Sequence, residues 1–256
     1  MSGTGCIFCG ATGATAKITR EHTFSNWINE VLTPEVVGPE ISFERSILHG
    51  AGAGTVNSWP ASQVASHTLR AVCATCNNGW MAELEGQVRL LIEPMIRGYK
   101  ASLTVEQQIT VATWATVKTA VLEHVWGDDP VLTAAECEVI MTQNRPPASV
   151  QVRLAAVESN GYPLRALGRG YEVQGSGPKA ICLTITIGCL VVQVFGGPGA
   201  GTEGLRTVGR TGADFIGIFP PPMRTVQWPP PSAHDDSSLL VFAHPLAALT
   251  DAHPSC

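Results

Sequence analysis

The chain has 256 residues, 45% of them hydrophobic and 14% charged, with a formal net charge of −5. That is enough apolar material for one large core or two small ones, and it excludes global disorder. Residues 1–100 hold seven Lys and Arg against eight Asp and Glu, which argues against a basic domain built for tight nonspecific binding to phosphate backbones.

The N-terminus, "MSGTGCIFCG", has no basic start followed by an apolar run, so no secretory leader is expected. Cys6 and Cys9 form a first Cys-x-x-Cys pair, followed at once by a turn-forming Gly10. "TREHTFSNWINEVL" reads as a strand end and then a short helix. Residues 41–49 alternate as a strand does, "GAGAG" at 50–54 is a loop, and 66–72 is a second strand feeding Cys73 and Cys76. Trp80, Leu84, Val88, Leu91 and Met95 fall on one helical face, which Gly98 closes.

Two further helices follow, each opened by a capping box: Thr104 with Gln107, and Thr133 with Glu136. In the first, Ile109, Ala112, Val117, Val121 and Val125 form the expected buried stripe, and Lys118 beside it is read as snorkelling to solvent, with a buried lysine turned toward the site as the alternative. "RPP" at 145–147 stops the second. Beyond it the chain reads as β. "NG" at 160–161 predicts a hairpin, and "KAICLTITIGCLVVQVF" and "DFIGIF" predict buried strands. The uncharged run Ala180–Gly197 is 18 residues long. Its β-branched content and lack of basic flanks make it strands rather than a membrane span. The reading is thus three segments, 1–100, 101–147 and 148–256, in a cytoplasmic protein with no membrane association.

In a reduced compartment, two Cys-x-x-Cys pairs are metal knuckles before they are disulfides. Cys6, Cys9, Cys73 and Cys76 offer zinc four soft ligands for a tetrahedron, each two-residue spacer letting one turn deliver two sulfurs. The pairs are separated by 63 residues, so strands must fold between them. The order knuckle, hairpin, knuckle, helix is the treble-clef arrangement. The expected fold class is α+β: an N-terminal zinc-bound ββα unit, central helices, and a C-terminal, mainly antiparallel β region. Cys137, Cys182, Cys189 and Cys256 are isolated and read as inert thiols.

Between the knuckles, "TREHTF" sets Glu21 beside His22, and Asn77 directly follows Cys76. Glu21 offers oxygen to a hard cation such as Mg²⁺ or Mn²⁺, His22 can take a proton from water, and the Asn77 carbonyl oxygen is a second candidate ligand. Each has a plainer reading: Glu21–His22 as a surface pair and Asn77 as a helix N-cap.

Together, Cys-x-x-Cys, an acidic-His pair and Cys-x-x-Cys-Asn resemble the HNH (His-Me finger) endonucleases. The likeness is strongest to their zinc-stapled branch, which includes recombination endonuclease VII. It covers roughly residues 6–85. It implies structural zinc on Cys6, Cys9, Cys73 and Cys76, a catalytic divalent ion on Glu21 and Asn77, His22 as general base, and DNA as substrate. The sequence departs from that family in three ways: Glu21 stands where Asp is commoner, the insert before Cys73 is long, and "NNGWMAELE" is neither basic nor histidine-rich. The alternative is a non-catalytic zinc-stapled module that binds a regulatory protein partner, with the C-terminal β region as its surface.

Arg20 and Arg70 flank the motif and are candidates for phosphate contact, with solvated surface charge as the plainer reading. Glu83 and Glu85 suit the helix dipole. Trp80 and Trp114 are read as core.

Overall fold

The structure is a computed structural model. It describes residues 5–13, 16–32, 40–48, 56–59, 68–126, 130–158, 164–173, 180–197, 215–235 and 238. The architecture is α+β.

Strand β1 (Ile18–His22) and helix α1 (Asn26–Val31) open the fold, followed by β2 (Glu40–Leu48), β3 (Val56–Trp59) and β4 (Thr68–Cys73). The chain then turns through α2 (Ala74–Cys76) and a π-helical turn, Asn77–Met81, into α3 (Ala82–Ile96). After β5 (Ala101–Leu103) come α4 (Val105–Trp126) and α5 (Ala134–Gln143). The last strands are β6 (Gln151–Ala156), β7 (Leu164–Val173), β8 (Ala180–Ile187), β9 (Leu190–Gly196), β10 (Ile216–Phe219) and β11 (Val226–Trp228).

Three sheets result. β1 pairs antiparallel with β4, and β5 with β11. The third sheet has seven strands in the order β10-β6-β9-β8-β7-β2-β3. Only its β2–β7 contact is parallel, running from Glu40 opposite Arg165 to Leu48 opposite Val173. The long insert between His22 and Cys73 is thereby accounted for. Its two strands leave the β1–β4 hairpin and extend the large sheet, so strand pairing crosses the segment boundaries read from the sequence.

The hairpin expected around "NG" is a correction. Asn160 and Gly161 lie outside the described residues, but β6 and β7 on either side are not partners. β6 pairs with β9 and β10, and β7 with β8. The connected pair is instead β8–β9, joined at Gly188 and Cys189. Gly188 has φ +55, and a Cβ there would meet the Ile96 carbonyl oxygen at 2.4 Å. The Cys189 N–H donates to that same carbonyl at 3.0 Å. The hairpin tip thus caps the C-terminal end of α3, and only glycine fits the approach.

Every residue of β8 and β9 is buried, as the uncharged run predicts. Among the described residues, no helix is long and apolar enough to cross a membrane.

Both capping boxes are present. Thr104 N–H donates to Gln107 Oε1 at 2.9 Å, and Thr133 N–H to Glu136 Oε2 at 2.8 Å. Gly98, at φ +80, ends α3 with its N–H on the Met95 carbonyl. The buried face of α3 is Leu84, Val88, Ile92, Met95 and Ile96, with Trp80 and Leu91 at its margin rather than its centre.

Helix α4 is the organising element. It packs on α3 and β4 on one side and on β6, β9 and β10 on the other. Consequently residues 111–123 are all buried, so no single stripe exists. The polar members are satisfied internally. Thr113, Thr116 and Thr119 hydroxyls donate to the carbonyls of Ile109, Ala112 and Ala115. Lys118 is 1% exposed, which overturns the snorkelling expectation: a helix enclosed on all sides leaves no surface to reach.

Candidate metal centre and adjoining cleft

The first knuckle is a tight turn. Cys6 N–H donates to the Ala11 carbonyl and Gly10 N–H to the Cys6 carbonyl, both at 2.9 Å, with Gly10 at φ +67. One backbone bond ties it to β4, from Ile7 N–H to the Ala71 carbonyl at 2.9 Å, and a second, from Ala74 N–H to the Lys17 carbonyl at 2.8 Å, ties the start of the second knuckle to the chain entering β1. Cys73 ends β4 and Cys76 lies one turn on.

The four Sγ atoms of Cys6, Cys9, Cys73 and Cys76 lie within 4.8 Å of one another. Cys9 and Cys73 are 3.7 Å apart, sulfur to sulfur. Four ligands at the zinc–thiolate distance of about 2.3 Å have edges of roughly 3.8 Å. The spacing fits a tetrahedral ion and is far too long for a disulfide. The cluster can therefore hold a structural metal ion such as zinc.

Burial works against the Cys6 thiolate, but backbone N–H groups of Cys9, Cys73 and Phe8 pull its pKa down to about 7. Burial pushes Cys9 and Cys76 upward, and crowding by the other thiols adds to it. Four sulfurs this close need a cation to ionise together, which zinc supplies. The seat is packed on both flanks. Phe8 meets Trp80 edge-on, with ring centroids 5.1 Å apart, and Cys76 Sγ lies 4.0 Å from Met141 Sδ of α5. Of the isolated cysteines, Cys137 and Cys182 are buried, and burial pushes Cys137 up to about 12. Cys256 lies outside the described residues.

Beside this centre is a cleft of about 420 Å³. Its walls include Arg20 and His22 from β1, Asn77 and Asn78 from the π-helical turn, and Glu85 and Arg89 from α3. His22 and Asn77 therefore face one space. The Glu21 side chain lies outside the described residues; its backbone pairs with Leu69 next to a β-bulge. Arg70, on β4, is exposed and is not part of the cleft wall.

Asn77 is not an N-cap. The helical path starts at Ala74, with Cys73 in the capping position. The Asn77 amide has a defined orientation instead. The Thr19 hydroxyl donates its single hydrogen to the Val72 carbonyl at 3.1 Å, so toward Asn77 it can only accept. Asn77 Nδ2 is the donor, at 3.2 Å. That assignment leaves Oδ1 for the cleft. His22 is half-buried, and its Nδ1 has no hydrogen-bond partner among the described residues.

No family model, no curated protein and no solved structure matches the chain significantly. The likeness to HNH nucleases stands on the motif residues alone.

Under the cleft lies a cluster whose members Glu85, Trp114 and Lys118 the sequence reading weighed only singly. Glu85 Oε1 is 2.7 Å from Lys118 Nζ and accepts from Trp114 Nε1 at 3.0 Å. Glu85 Oε2 accepts from Trp27 Nε1 at 3.0 Å. Ser25, at the head of α1, leaves its capping role unfilled and approaches Lys118 Nζ at 3.4 Å. Burial opposes the charge on Glu85, but the Lys118 ammonium and the hydrogen bonds of Ser25 and Trp27 outweigh it and hold the carboxyl below its usual range. Glu85 is thus no simple dipole partner, whereas Glu83 is exposed. The available signal was Lys118 itself, the only charge in the run "VATWATVKTAVL".

Proposed function

We propose that the chain is a metal-dependent phosphodiester hydrolase of HNH type acting on DNA, stapled by structural zinc on a treble-clef unit. The observation that carries the reading is the cleft beside the four cysteines. His22 and Asn77, far apart in sequence, line it together with Arg20 and Arg89.

In this reading Glu21 and Asn77 Oδ1 hold a Mg²⁺ or Mn²⁺ ion, which when bound stabilises charge on the scissile phosphate and its leaving oxygen. His22 takes the proton of the attacking water through a ring nitrogen. Arg20 and Arg89 meet phosphate oxygens and orient the strand. The Thr19 hydroxyl holds the Asn77 amide in register, so that its oxygen and not its nitrogen faces the site.

The test is nicking of supercoiled plasmid with Mg²⁺ or Mn²⁺ by wild type, His22→Ala and Asn77→Ala. The expected outcome is cleavage by wild type and a loss of at least a hundredfold in each variant, in line with removing a general base or an electrostatic stabiliser. Equal activity in all three refutes the reading. Inactivity of a zinc-loaded, folded wild type moves the assignment to the non-catalytic protein-binding module.

A further inference from the structure

We infer that Lys118 is a positioning residue that sets the charge of the cleft floor: by neutralising Glu85 from beneath, it allows the cleft to accept a phosphodiester anion. This rests on the hydrolase reading and adds to it a residue on α4, outside the motif.

The argument starts with Glu85. A carboxylate has about four acceptor positions. Here they are taken by Lys118 Nζ, Trp114 Nε1, Trp27 Nε1 and the Ser25 hydroxyl. Glu85 therefore keeps its charge and has no lone pair to spare for a metal ion, although 19% of its side chain still faces the cleft. On its own, a fixed negative charge at that position would repel a phosphate strongly, because the site is partly closed to water.

Lys118 reverses this. It is 1% exposed and 2.7 Å from the carboxylate, so the pair presents a dipole rather than a charge. The charges left to face a ligand from the described walls are then those of Arg20 and Arg89, with Arg89 shared with Glu30 at 3.2 Å and Glu93 at 3.4 Å. The same network also joins three helices. Trp27 of α1 and Trp114 and Lys118 of α4 all converge on one side chain of α3.

The opposite signs of the two partners make the inference testable. Removing either one breaks the lock equally, but the charge left behind differs. Binding of a fluorescein-labelled short DNA duplex would be measured with zinc-loaded full-length protein and Mg²⁺, in a His22→Ala background that prevents cleavage. Lys118→Met is expected to weaken binding by on the order of tenfold, the effect of one uncompensated charge near a partly buried site. Glu85→Gln is expected to bind more tightly than the parent, and Glu85→Gln/Lys118→Met to match the parent.

If both single variants weaken binding alike, the lock is merely structural, and if Lys118→Met binds like the parent, the charge does not reach the ligand; either result overturns the inference. If a single variant fails to fold, the double variant, whose two neutral side chains avoid a buried unpaired charge, tests the fold, and weakened affinity in it overturns the inference. With parent affinity in the double variant, the single variant that folds decides: weaker binding by Lys118→Met or tighter binding by Glu85→Gln upholds the inference, and no change overturns it. Absence of DNA binding by the parent overturns both readings. Binding by a protein that never cleaves plasmid refutes the hydrolase and leaves the neutral floor standing.

Discussion

Glu123 gives this protein a stability that falls as pH rises from the mildly acidic range to neutrality. With Lys118 it is one of two buried charged residues on α4, and its carboxylate accepts the N–H groups of Val131 at 2.8 Å and Leu132 at 3.2 Å. Those bonds hold the chain as it enters α5. Burial nevertheless dominates, and with Glu136 nearby it raises the Glu123 carboxyl from 4.5 to about 7. A carboxyl raised on folding binds more protons in the native than in the unfolded state between those two values. Stability is therefore full below pH 4.5 and is lost as pH climbs to about 7. At about 1.4 kcal/mol per pH unit, the loss is about 3 kcal/mol. Glu85 acts oppositely. Its lowered carboxyl stabilises above its unfolded value and loses that contribution only as pH falls, so the windows do not overlap. Replacing Glu123 by Gln removes the titration while keeping an acceptor. Urea unfolding of zinc-loaded wild type and Glu123→Gln at pH 5, 6, 7 and 8 should show wild type losing about 3 kcal/mol relative to the variant, with unchanged denaturant slope. Parallel stability curves would refute the argument.

Two further outcomes follow from the site. Cys73→Ser removes the thiol 3.7 Å from Cys9 Sγ; zinc content by atomic absorption should fall from one ion per chain to well below one, with a lower melting temperature, and a full complement of zinc in that variant would remove the shared centre. Thr19→Val removes the acceptor for Asn77 Nδ2 at about 1 kcal/mol of stability; plasmid nicking should drop by an order of magnitude or more, and unchanged nicking would show that the amide orientation does not matter.

What could be read from the sequence was what is local. The capping boxes at Thr104 and Thr133, the glycine stop at Gly98 and the two knuckles each depend on residues within a few positions, and each formed as expected. The misreadings came from long-range choices. "NG" is a sound local turn signal, but β6 finds partners in β9 and β10 because the sheet's central place goes to the apolar β8–β9 hairpin. Asn77 looked like an N-cap because the helix was expected to start after Cys76, whereas the knuckle already turns helically at Ala74. Lys118 looked like a surface lysine because a helix was assumed to have a wet side. Its partner lies on another helix, and no local pattern links the two. This division bears on function. The motif residues lie between Cys6 and Asn77, yet the Glu85 carboxylate in the wall of their cleft is bound by Trp114 and Lys118 from α4. A unit cut off after α3 would keep every motif residue and leave the Glu85 carboxylate without its cation. The long central helix is therefore part of the site in energetic terms, even though no residue on it belongs to the motif.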